Sequence, residues 1–115
     1  MQNIFLTIPY PPSVNNYWGF NGHRRYLTQK AQNFKANVAE IAKNYPKLGK
    51  ARLEIKISLF PDSKRKADID NRIKSCLDAM AQAQLFDDDS QIDRLFVERC
   101  PIVEGGKAEI QINCL

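Results

Sequence analysis

The sequence has little that could carry covalent or redox chemistry. Among its 115 residues there is one histidine, His23, and there are three cysteines, Cys76, Cys100 and Cys114. No serine or cysteine has a visible base partner, which argues against nucleophilic catalysis. Three widely spaced cysteines without a CxxC pattern argue against a disulfide framework and a zinc site, and leave buried reduced thiols as the expectation. No apolar run approaches the roughly 20 residues of a membrane span. The one early apolar run is short and meets Pro9, unlike a secretory leader. A reducing cytoplasm and no membrane are therefore expected. Internal repeats, linkers and low-complexity tracts are also missing.

What is present is an ordinary globular composition with unusual charge placement. Apolar residues make up 43%, enough for one core, so residues 1–115 read as a single domain. Lys and Arg number 17 against 13 Asp and Glu, a net charge of +4. The excess is modest, and its position says more. Lys64, Arg65 and Lys66 stand directly before Asp68 and Asp70, and a second acidic group, Asp87, Asp88 and Asp89, follows about twenty residues later.

Alternation and turn signals divide the chain. Asn3 to Ile8 reads as a strand ended by Pro9, Pro11 and Pro12. Asn21-Gly22 predicts a tight turn between Tyr17–Phe20 and His23–Leu27. That hairpin interleaves Tyr17, Trp18, Phe20 and Tyr26 with His23, Arg24 and Arg25, a mixture able to stack on bases and contact phosphates. The plainer reading is that the aromatics pin the loop to the core. Thr28 is placed to cap a helix running to about Asn44, with Ala31, Phe34, Val38, Ile41 and Tyr45 on one stripe. Arg52 to Phe60 alternates as a strand with one buried face. A second helix is expected from Asp68 to Leu85-Phe86, with Asp70 and Lys74 as neighbours on its rim. Ile92–Cys100 and Lys107–Cys114 read as strands, the latter after a Gly105-Gly106 turn. The order predicts an α+β domain: one mixed sheet with two helices mainly on one face.

Clustered carboxylates repel unless a cation neutralises them, and hard oxygen ligands suit Mg²⁺ or Mn²⁺. Basic residues beside them point to a phosphate backbone as substrate. Asp68 and Asp70 would form one wall of a metal site, and Asp89 with Asp88 the other. A straight helix between the groups would hold them apart. Either the helix is shorter and the second group folds back, or the site is built across a dimer. Simpler roles exist for each part: a helix start for Asp68 and Asp70, a solvated turn for Asp87–Asp89, an i,i+4 partner of Asp70 for Lys74. An EF-hand loop is a poor fit, because Ile73 stands where glycine is needed.

The segment DIDNRIKSCLDAM followed by FDDDSQI resembles the signature of the RusA family of Holliday-junction resolvases. The opening IPYPPSVNNYW and the late VEGGKAEIQI are similar to the same family's ends, so the likeness spans nearly the whole chain. It implies a homodimeric, Mg²⁺-dependent endonuclease cutting four-way DNA junctions, with Mn²⁺ able to substitute. The implied catalytic residues are Asp68, Asp70, Lys74 and Asp89, with Asp88 as a further metal ligand and Asn71 matching the family's asparagine. Lys64, Arg65, Lys66, Arg24 and Arg25 are the expected DNA contacts. Two departures stand out: Ala67 interrupts the basic run, and three aspartates replace the usual two. A bacterial or prophage origin is implied. The competing readings are a non-catalytic DNA-binding module and a metal-dependent nuclease for other branched DNA.

Overall fold

The computed structural model describes residues 3–115. Alternation at the start becomes strand β1 (Asn3–Ile8), which buries Ile4, Leu6 and Ile8 and exposes Phe5 between them. Strands β2 (Trp18–Asn21) and β3 (Arg24–Leu27) pair antiparallel as a hairpin outside the main sheet. Gly22 supplies its turn at φ +64°, a left-handed value that glycine reaches without strain.

Helix α1 (Gln29–Ala42) starts where expected: Thr28 Oγ1 accepts from the Ala31 amide at 3.2 Å. It buries Ala31, Phe34, Val38 and Ala42. It stops two residues short of Asn44, because the Asn44 and Tyr45 amides bond carbonyls three residues back, at Ile41 and Ala42. Such bonds tighten a last turn and end the α-helical ladder before Pro46.

Strands β4 (Leu53–Phe60), β5 (Ile92–Arg99) and β6 (Lys107–Cys114) join β1 in one sheet of order β1-β6-β4-β5. β6 runs antiparallel to both β1 and β4, while β5 runs parallel to β4 at the edge. The buried residues are in register: Ile4 and Ile55 both face Ile112, and Leu6 and Ile57 both face Ile110. They therefore form one apolar face. Phe34 and Val38 of α1, with Cys76, Leu77 and Met80 of α2 (Ile73–Gln82), complete the core above it. The other face, with Phe5, Lys56 and Gln111, is open. Parallel β4 and β5 need a long crossover, which α2 provides. The α+β layout agrees with the expectation. Among the described residues no helix is long and apolar enough to cross a membrane.

The second helix departs from its expected course. Residues Ile69–Arg72 form a 3₁₀ turn, and the α-helix begins only at Ile73. Asp68 precedes the turn in extended conformation and makes no side-chain cap. The proline loop explains the break. Pro11 and Pro12 offer no amides, but their carbonyls accept from Arg72 Nη1 at 2.6 Å and from the buried Ser75 Oγ at 2.7 Å. The Arg72 guanidinium also lies 4.5 Å from the Tyr10 ring centroid. Arg72 is held at φ −118°, ψ −2°, a bridge conformation joining the tighter turn to the helix.

The helix is also short. Its ten residues span about 15 Å. Gln84 then takes a left-handed φ of 64°, and the Leu85 amide wraps back to the Met80 carbonyl at 3.2 Å. Leu85 and Phe86 are fully buried and fix the reversal. The Leu48 amide donates to Leu85 and the Asp87 amide to Gly49, so the second acidic group is carried back toward α1 and β4.

Candidate active site

The fold-back brings one pair of expected residues together. Lys74 Nζ donates to Asp89 Oδ2 at 3.3 Å and pairs with Asp78 Oδ1 at 3.0 Å. Asp78, one turn along α2, is the stronger influence and Asp89 the second; together they hold the Lys74 ammonium above the ordinary lysine pKa. The expected Asp70–Lys74 pair is not formed. A 3₁₀ turn advances about 120° per residue instead of 100°, so Asp70 does not share a rim with Lys74.

Asp68 and Asp70 are exposed at the two sides of Ile69, and neither carboxylate accepts a hydrogen bond among the described residues. Their oxygens are thus free for an external cation. Asp88 is spoken for: the Ser90 hydroxyl donates to it at 2.6 Å and holds its carboxyl below the usual range. Among the described residues no three His, Cys, Asp or Glu side chains gather as a ligand set. The donors nevertheless fit Mg²⁺, which takes one or two carboxylates and fills its shell with water and phosphate oxygens. Asp68 and Asp70 would supply that pair.

Beside Asp68 lies an open cleft of about 660 Å³, whose walls include Lys64, Arg65, Lys66, Asp68, Asn71 and Arg99. Three consecutive cations therefore line the same depression as an unpaired aspartate and Asn71, the arrangement a phosphate backbone needs. Arg24 and Arg25 lie elsewhere, on the hairpin, where Arg25 stacks 3.9 Å from the Trp18 ring centroid. Phe20 and Tyr26 stay 69% and 50% exposed there, so these two aromatics do not pin the hairpin to the core, whereas Tyr17, just before it, is buried.

Sequence reading missed two contributors. Arg99 Nη2 donates to the Ala67 carbonyl at 2.5 Å and so holds the basic loop against the end of β5. Nothing in a strand-ending arginine signals that role. Gln91, only 5% exposed, binds the Asp87 and Asp88 amides and the Gly49 and Ala51 carbonyls, which fixes the second acidic segment.

The family model for Endodeoxyribonuclease RusA matches residues 9–113. The chain is 39% identical to a crossover junction endodeoxyribonuclease of Enterobacteria phage HK97, over 98% of this chain and 96% of that one. It is 33% identical to the crossover junction endodeoxyribonuclease of Escherichia coli K12, with the same coverage. The counterpart from Enterobacteria phage 82 is 32% identical over the same shares. Among solved structures, the periplasmic domain of Helicobacter pylori MotB matches with a TM-score of 0.40 and 16% identity, over 98% of this chain and 75% of that one. That likeness is too distant to bear on function. With the family match covering almost its full length, the chain belongs to the RusA endodeoxyribonuclease family.

Proposed function

We propose that this chain is a Mg²⁺-dependent endonuclease that resolves four-way DNA junctions by paired symmetric nicks, working as a homodimer in the bacterial cytoplasm. The observation that carries the reading is the unbonded carboxylate of Asp68 in the wall of a cleft lined by Lys64, Arg65 and Lys66, with the equally unbonded Asp70 two residues on. A bound divalent ion would neutralise phosphate charge and activate water for attack on the phosphodiester. Asp68 and Asp70 would hold it, with Asp89 and Asp88 as the second acidic group. Mn²⁺ would substitute, since it accepts the same hard oxygens.

The chain's own groups divide the remaining work. Lys64, Arg65 and Lys66 bind backbone phosphates, and Asn71 offers an amide to the same strand. Lys74 stays protonated because its acidic neighbours raise its pKa. Lys74 is thereby suited to placing positive charge near the phosphate. Arg24 and Arg25 extend the positive surface along the hairpin. A two-fold dimer would present two equal sites to strands of like polarity, which symmetric nicking requires.

The deciding experiment is nicking of a synthetic four-way junction with and without Mg²⁺, beside flap and plain duplex DNA. Preferential, metal-dependent cutting of the junction is expected. Tight binding with no cutting under Mg²⁺ or Mn²⁺ would leave only a DNA-binding module, and equal cutting of flaps would make the chain a broader branch nuclease.

Lys74→Ala is expected to slow the single-turnover cleavage step by about a hundredfold, in the range for loss of one charge-stabilising donor, while leaving junction affinity nearly unchanged. Equal losses in both would recast Lys74 as a backbone contact. For Arg65→Ala, binding should weaken on every DNA tested and the slope of log K against log salt should fall by about 1. An unaltered slope would mean that Arg65 touches no phosphate.

A further inference from the structure

Strands β2 and β3 stand apart from the main sheet as a two-stranded ribbon. Its root is fixed beside the site. A 3₁₀ turn, Val14–Asn16, packs against the turn Ile69–Arg72 that carries Asp70, and β2 follows it after Tyr17 alone. Thr28 ties down the other end of the ribbon. Its amide donates to the Tyr17 carbonyl at 3.1 Å and its hydroxyl to the Asn16 carbonyl at 2.5 Å. The ribbon is thus held at its base, while Asn21, Gly22 and His23 at its tip are exposed.

Charge on this part of the chain has one sign. No Asp or Glu occurs before Glu40, whereas Arg24, Arg25, Lys30 and Lys35 all do. Residues directly opposed in an antiparallel pair share a face. Trp18, Phe20, Arg25 and Leu27 therefore lie on one face of the ribbon, and Gly19, Asn21, Arg24 and Tyr26 on the other. Arg25 is drawn over Trp18, and Phe20 across from it stays 69% exposed. Tyr26 rests on the bare backbone of Gly19: a methyl there would overlap the ring, with Cε2 only 2.6 Å away. One side of that ring is covered, and half of the residue remains exposed. The ribbon shows one open aromatic on each face, with an arginine beside each. A polyanion that also offers flat apolar faces suits such a surface, and unstacked bases with their phosphates are that ligand.

We propose that the β2–β3 hairpin enters the branch point of the junction, where Phe20 and Tyr26 stack on the bases that end two diverging arms. This rests on the junction reading above and adds the element that tells a junction from plain duplex. A ribbon with a ring on each face is on the order of 10 Å thick, the spacing of packed sheets. Bases in a duplex are about 3.4 Å apart. An intact stack would have to be broken to admit the ribbon, whereas arms already diverge at a branch. Apolar side chains that wedge between base steps work on the same principle, with unstacking offset by new contacts. Arg24 and Arg25 would meet the phosphates on either side.

Binding measured without divalent metal, so that no strand is cut, tests the wedge on a four-way junction and a duplex of the same sequence. Phe20→Ala and Tyr26→Ala should each weaken junction binding at least about tenfold, the loss of one stacked base, and change duplex binding less than about twofold. Phe20→Trp and Tyr26→Phe should keep the preference, because stacking needs a ring and no hydroxyl. Gly19→Ala should reproduce Tyr26→Ala while retaining the tyrosine, because the new methyl displaces its ring. Arg24→Ala should weaken both DNAs alike. If Tyr26→Ala or Gly19→Ala disturbs the ribbon, the exposed Phe20, as Ala against Trp, decides. A wild type with no preference for the junction would overturn the junction reading and this proposal with it. A wild type that prefers the junction, with Phe20→Ala keeping that preference or losing affinity for both DNAs equally, would overturn the wedge and leave the junction reading standing.

Discussion

Asp70→Asn should yield a protein that binds four-way junctions as tightly as before, or more tightly, and cuts them at least about a thousandfold more slowly, a barrier increase of ~4 kcal/mol. The substitution keeps the side chain's size and changes only charge and one atom. The Asp70 side chain is exposed and its carboxylate accepts no hydrogen bond among the described residues, so nothing in the fold depends on that carboxylate. Stability should stay within about 0.5 kcal/mol, as for surface changes away from special features. Binding should hold or improve because a negative charge leaves the neighbourhood of the phosphates. Cleavage should collapse because an amide is a much weaker ligand for a hard divalent ion than a carboxylate. Gel-shift titration and single-turnover cleavage on the same junction, each with Mg²⁺ and Mn²⁺, separate the two effects. Asp68→Asn should behave alike. Undiminished cutting by Asp70→Asn would remove that residue from the site and shift the ion to the Asp88–Asp89 group.

Local pattern carried much of the fold. Strict alternation at Asn3–Ile8 and Leu53–Leu59 corresponds to strands whose inward residues all lie on one face. Thr28 caps α1 as its position before an apolar stripe implied. The 3₁₀ turn at Ile69–Arg72 was not legible, because its cause is distant. Arg72 and Ser75 bond carbonyls of Pro11 and Pro12, 61 and 63 residues earlier, and no window around Asp68 contains that information. The reversal after α2 was hidden for another reason. The residue in left-handed conformation is Gln84, not glycine or asparagine, so the usual helix-stop signal is missing. Burial of Leu85 and Phe86 imposes the turn instead. At the site, Lys74 and Asp89 were named from a motif, while their meeting within one chain depended on the short helix. The spacing left open whether the helix was shorter or the site crossed a dimer; the fold-back joins Lys74 to Asp89, and Asp68 and Asp70 remain outside that contact.

Gln91→Ala should produce the largest loss of stability of any polar substitution near the site, about 3 kcal/mol, and lower the melting temperature by roughly 10–20 °C. The Gln91 side-chain amide uses its full bonding capacity. Its carbonyl accepts from the Asp87 amide at 3.0 Å and the Asp88 amide at 2.8 Å. Its NH₂ donates to the Gly49 carbonyl at 2.9 Å and the Ala51 carbonyl at 2.6 Å. Two of these four groups have a second partner, since the Asp87 amide also reaches the Gly49 carbonyl at 3.1 Å. The Asp88 amide and the Ala51 carbonyl, both in partly buried bonds, would lose their protein partner, at about 1–3 kcal/mol for the two together. The same bonds tie Asp88 and Asp89 to the loop before β4, so their loss frees the second acidic segment. Cleavage measured well below the variant's melting temperature should therefore still fall, while junction binding, which is proposed to rest on Lys64, Arg65 and Lys66, should persist. Urea denaturation gives the stability change directly. A loss below about 0.5 kcal/mol would mean that water replaces the lost partners at no cost, and that the acidic segment owes its position to Leu85 and Phe86 alone.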